Sequence, residues 1–151
     1  MNAVTGLLVT GISVAGMLWG AAQAADLRVN VENLQSAKGK VIIALVNRQM
    51  YEAEDNSAVL RSSVLQPRVP AVSYTFTELP PGEYALQVVH DLNSNHDFDF
   101  NVFTGPSEPF GLSRIRWVKA ENMPDWQQVK FTLQAQVFSA RPMMMTIMLN
   151  D

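Results

Sequence analysis

The chain has no cysteine, which excludes disulfides, thiol nucleophiles and thiolate metal sites together. Its only histidines are His90 and His96. No nucleophile elbow, phosphate loop or zinc signature is present. The two histidines and fourteen scattered carboxylates give no acid–base pair that spacing identifies. Basic clusters are also missing. A formal charge of −3 argues against nucleic acid and anionic membrane surfaces as partners.

Charge is likewise absent from the first 24 residues. Leu7 to Trp19 is broken only by small or hydroxyl residues, and Ala22-Gln23-Ala24 supplies the small residues of a cleavage site. That pattern predicts a secretory signal peptide over residues 1–24. The apolar run is short for a membrane span, and no later stretch approaches the ~20 residues a spanning helix needs. Removing 24 of 151 residues leaves 127, the size of one domain over residues 25–151. A chain of that size hides roughly two-thirds of its unfolded surface on folding, enough for a core without covalent staples.

What is present is period-two alternation, the signature of strands. Leu27 to Val31 alternates apolar with polar, and Val41 to Val46 is apolar on both faces, as a central strand should be. Arg48 to Ser57 reads as a helical turn or a covering loop, and Val59 to Val69 as a short edge strand. Val72 to Phe76, Leu79-Pro80-Pro81-Gly82 and Tyr84 to Val88 predict a hairpin. Its type II turn would place Gly82 at positive φ. Further strands are expected over Phe110–Val118, Val129–Val137 and Met143–Leu149. Seven to eight short strands joined by turns indicate an all-β, antiparallel sandwich.

The loop Asp91-Leu92-Asn93-Ser94-Asn95-His96-Asp97-Phe98-Asp99 is the sharpest local feature. Asp91, Asn93, Asn95 and Asp99 stand at relative positions 1, 3, 5 and 9, with Asp97 at the position that offers a backbone carbonyl. EF-hand-like loops present oxygens to calcium with that spacing. His96 occupies the turn position that favours glycine, and Val102 stands where a bidentate glutamate belongs. Glu108 is the nearest spare carboxylate, a candidate extra ligand if the Gly105-Pro106 turn folds it back. The alternative is an Asx-rich loop whose side chains bond their own backbone.

His90 shares the parity of Tyr84, Leu86 and Val88, which directs it into the sandwich, whereas Asp91 takes the opposite parity with Glu83 and Gln87. Met143-Met144-Met145-Thr146-Ile147-Met148 invites a Cu(I) reading. Adjacent residues on a strand alternate faces, however, which favours methionine as core filler. Trp117 and Trp126 suit core or rim positions.

Phe76-Thr77-Glu78-Leu79-Pro80-Pro81-Gly82-Glu83-Tyr84-Ala85 resembles the hairpin of transthyretin-like sandwiches. Together with His90-Asp91-Leu92-Asn93-Ser94-Asn95 and Gly105-Pro106-Ser107-Glu108-Pro109-Phe110-Gly111-Leu112-Ser113, the chain resembles the exported bacterial domain family DUF2141. The resemblance implies a transthyretin-like sandwich and an exported location, and no activity. The family commonly has glycine after each Asn of the acidic loop, where this chain has Ser94 and His96.

These readings lead to an exported, non-catalytic binding or structural module of a Gram-negative envelope, periplasmic or secreted, with a loop-bound calcium ion. Its partner would be a protein, glycan or small molecule of the envelope. A periplasmic copper handler using the Met-rich strand is the second expectation. A metal-assisted hydrolase using Asp91 to Glu108 is the third.

Overall fold

The computed structural model describes residues 23–53, 59–96, 100–101, 105–116, 122–136 and 141–150. Residues 1–22 of the expected leader, Asp97, Asp99, Val102 and Trp117 fall outside them.

The chain is all-β, and its described residues form ten strands and two single-turn helices: β1 (Ala25–Glu32), β2 (Lys40–Val46), α1 (Arg48–Tyr51), β3 (Arg61–Leu65), β4 (Ala71–Leu79), β5 (Gly82–Asp91), β6 (Phe100–Asn101), β7 (Gly105–Pro106), β8 (Phe110–Leu112), α2 (Trp126–Val129), β9 (Phe131–Leu133) and β10 (Met143–Met148). One sheet has the order β10-β1-β4, and the other has β3-β2-β5-β8 with β9 also on β5. Pairing is antiparallel except for β1 with β10. β6 and β7 form a separate small ribbon.

Alternation makes the core. Leu27, Val29 and Val31 of β1 and Val41, Ile43 and Leu45 of β2 are fully buried, and Leu86 and Val88 of β5 join them between the sheets. Burying one such side chain contributes roughly 1.5–3 kcal/mol. The other face of the second sheet is not left to solvent. Val46, Ala85, Phe110 and Leu112 pack there against Trp126 and Val129 of α2, with Met50 and Tyr51 of α1 alongside. Met50 and Tyr51, after β2, thus cover the sandwich, and Trp126 is a core residue at 3 % exposure.

The Leu79–Gly82 connection differs from the expected hairpin. β4 pairs with β1 in one sheet, whereas β5 pairs with β2, β8 and β9 in the other. The Pro-Pro-Gly segment is therefore an arch between sheets. The Tyr84 hydroxyl holds it by donating to the Pro80 carbonyl at 2.6 Å. Gly82 has no positive φ, so the type II turn is not formed; Glu78 carries the left-handed conformation at φ 56°.

The strand expected from Val129 is also shorter. Asp125 caps α2 in a reciprocal box with Gln128, so Val129 ends a helical turn before β9 begins at Phe131. The strand expected over Phe110–Val118 stops at Leu112. Ser113 terminates it. Its amide donates to the Leu86 carbonyl, while its Oγ accepts from the Leu86 amide and donates to the Val129 carbonyl. A single buried hydroxyl thereby joins β5, the end of β8 and the exit of α2.

The two sheets meet along one seam. Phe110, on the β8 edge, bridges Asn150, just beyond β10. Gly111 makes the approach possible: a Cβ there would stand 2.6 Å from Ile147 Cγ2 and 2.9 Å from the Met148 carbonyl.

Candidate functional site

At one end of the second sheet, three chain segments converge. The first is the β1–β2 turn. Gly39 adopts φ +75°, and a Cβ on it would overlap the Asp91 carbonyl and stand 2.7 Å from Leu92 Cα. Glycine is required there both by conformation and by contact. The neighbouring Lys38 carbonyl accepts from His90 Nε2 at 2.8 Å. A carbonyl cannot donate, so Nε2 carries the proton. His90 is 1 % exposed and points inward, as its parity predicts.

The second segment is the end of β5 and the loop that follows. Asp91 is fully buried, although its parity directs it away from the inter-sheet core. Its carboxylate is turned onto its own loop. Oδ1 accepts from the Asn95 amide at 3.2 Å, and Oδ2 accepts from the His96 amide at 2.9 Å. Asn93 Oδ1 also accepts from the Asn95 amide, at 2.8 Å. These bonds coil the loop so tightly that Ser94 and His96 take left-handed conformations at φ 59° and 65°.

The third segment carries Glu108. β5 and β8 pair with Val89 opposite Phe110, and the His90 amide donates to the Pro109 carbonyl. Continuing that register sets Glu108 opposite Asp91. The Leu92 amide donates to Glu108 Oε1 at 2.8 Å, which fixes the carboxyl beside the loop. Glu108 is 3 % exposed, and its Oε2 is buried without a hydrogen-bond partner.

Two carboxylates are thus buried as cross-strand neighbours, an arrangement that opposes folding unless something neutralises it. Lys40 is the register partner of Asp91 on β2 but makes no ion pair with it. Among the described residues the ion pairs are Arg48–Glu52 and Lys130–Glu83, both elsewhere. Asp91, Asn93, Asn95 and Glu108 come together; Asp97 and Asp99 lie outside the described residues. No group of three or more His, Asp or Glu side chains with metal-site geometry occurs among the described residues. Any hard cation here would therefore draw on amide and backbone oxygens besides the two carboxylates.

The methionines of β10 separate by face, as alternation requires. Met143 and Met145 pack against the core, and Met144 and Met148 are exposed.

Comparison with known families places this arrangement. A family model described as "Uncharacterized protein conserved in bacteria (DUF2141)" matches residues 29–140, most of the chain. The chain belongs to the DUF2141 family. No curated protein and no solved structure matches it. Within this DUF2141 chain, the three segments that carried the resemblance have identifiable work. The Leu79–Ala85 segment arches between sheets, the His90–Asn95 segment forms the coiled acidic loop, and the Gly105–Ser113 segment supplies Glu108, the seam glycine and the Ser113 junction.

The sequence named Glu108 as a candidate extra ligand of the loop, but not its register opposite Asp91. The residues stand 17 apart, and only the β5–β8 register brings them together. Gly105-Pro106, expected as a turn, instead forms β7 and pairs with β6.

Proposed function

We propose that this DUF2141 protein is an exported, non-catalytic binding or structural module of the bacterial envelope whose acidic end loop holds calcium. The observation that carries the calcium reading is the buried, unpartnered Oε2 of Glu108 beside Asp91. A carboxylate oxygen removed from water without a partner costs several kcal/mol. A divalent cation between the two acids offsets that cost and their mutual repulsion. Glu108 then supplies, from outside the loop, the carboxylate that Val102 does not provide within it.

The non-catalytic reading rests on how the acids are used. Three of their four oxygens already accept backbone amides, which suits a structural ion better than proton transfer. Export is supported by the leader pattern of residues 1–24. Processing there would remove none of the two sheets, because β1 begins at Ala25. Intact-mass measurement on periplasmic extract tests export. A mass starting at Ala25 is expected, and one retaining Met1 to Ala24 would contradict it.

A further inference from the structure

We infer that Asn150, beyond the last strand, is a ligand group for the same cation, so that the ion ties the carboxyl-terminal strand to the acidic loop. This rests on the calcium reading above and extends the site to a third chain segment.

Two buried polar side-chain atoms among the described residues have no hydrogen-bond partner, Glu108 Oε2 and Asn150 Nδ2. They belong to one corner of the molecule. Asn150 bridges Phe110, its amide donating to the Phe110 carbonyl at 2.9 Å, and Glu108 precedes Phe110 by two residues. In an antiparallel pairing, a residue and the partner two positions on are diagonal neighbours about 7–8 Å apart, within reach of long side chains. Val89–Phe110–Asn150 forms one row across three segments, and Asp91–Glu108 forms the next. Asn150 is 9 % exposed, so its side-chain amide is largely removed from water.

An amide is nearly symmetric in shape, and a half-turn exchanges its nitrogen for its oxygen at little steric cost. With the oxygen inward, Asn150 becomes a neutral oxygen donor to a hard cation, alongside Asp91 and Glu108. One ion would then satisfy both unpartnered groups. It would also link β5, the segment leading into β8 and the end of β10.

The test is a calcium titration of the chain from Ala25, followed by backbone amide chemical shifts, on wild type, Asn150→Leu, Asn150→Ser and Asn150→Asp. Calcium affinity follows the number and charge of oxygen ligands. Asn150→Leu should weaken binding at least fivefold, and Asn150→Asp should tighten it. In wild type, the calcium-induced shifts should include the amides of residues 148–150 as well as those of residues 91–96. Asn150→Ser, a smaller disturbance to the seam, decides the matter if the leucine variant does not fold. Wild-type affinity in all the folded variants would overturn the role of Asn150 and leave the calcium reading standing. No calcium response in wild type would remove both.

Discussion

Gly39 and Asp91 lie in backbone contact, so closely that a single added methyl on Gly39 would occupy the space of the Asp91 carbonyl oxygen. The β1–β2 turn is thus a support for the acidic loop. Gly39→Ala would force both a left-handed alanine, at roughly 1–2 kcal/mol, and movement of the β5 end. We expect a loss of at least about 2 kcal/mol in chemical denaturation. Gly82→Ala should cost less than about 1 kcal/mol, because Gly82 has an ordinary φ and the nearest atom a Cβ there would meet is the Tyr84 hydroxyl, at 3.4 Å. Equal costs at the two positions would contradict this account of the turn.

Ser94 and His96 both hold positive φ without being glycine. Relief of that strain by glycine outweighs the added freedom of the unfolded chain when no side-chain contact is lost. Ser94→Gly and His96→Gly should each raise the denaturation midpoint, by roughly 0.5–1 kcal/mol of stability. A lowered midpoint in both would mean that these side chains hold the loop by contacts of their own.

Much of the fold was legible because burial obeys a period of two. β1, β4 and β5 appear where alternation marks them, β2 where a run apolar on both faces does, and β10 within the expected Met143–Leu149 strand. Alternation did not reveal the backbone state at Val129. Val129, Phe131 and Leu133 are buried in strand-like rhythm, yet the Asp125 cap winds Val129 into a helical turn. Pro80-Pro81-Gly82 marked where the chain reverses but not which neighbour it meets afterwards. Turn chemistry is local, whereas the choice of sheet depends on the partners of β5. The same limit applies to the site. The loop oxygens were visible as spacing, but the burial of Asp91, its Glu108 neighbour and Asn150 all depend on long-range register.

Tyr51 provides a pH signature for the covering layer. Its hydroxyl donates to the Pro124 carbonyl at 2.7 Å, and its ring lies 5.9 Å from Trp126. Burial, with the Asp125 charge as a second cause, pushes its pKa up from 10.0 to about 12. The folded state therefore keeps a proton that the unfolded state releases above pH 10. Stability from this group is full below pH 10 and lost as pH rises towards 12. Burial raises Tyr84 in the same direction, so Tyr51→Phe should flatten the decline only partly. Denaturation midpoints at half-unit steps from pH 9 to 12 will show it. An identical slope in wild type and Tyr51→Phe would contradict the assignment.

The central claim is that a divalent cation sits between Asp91 and Glu108. It is tested most directly by melting curves of the chain from Ala25 in calcium, in magnesium and in chelator, for wild type, Asp91→Ala and Glu108→Gln. With few charged ligands, affinity should fall in the range of about 0.1–1 mM typical of extracellular modules. Calcium at ten times its dissociation constant then adds about 1.4 kcal/mol, a rise of a few degrees in Tm for a domain of this size. Magnesium should do less, because it requires octahedral geometry and sheds water reluctantly. Asp91→Ala should melt lower in every condition, having lost the acceptor for the Asn95 and His96 amides, and should gain nothing from calcium. Glu108→Gln should match or exceed wild type in chelator, where the buried like charges are no longer opposed, and should also lose the calcium response. If wild type melts at the same temperature in calcium and in chelator, or if calcium raises all three proteins equally, the site between Asp91 and Glu108 does not exist.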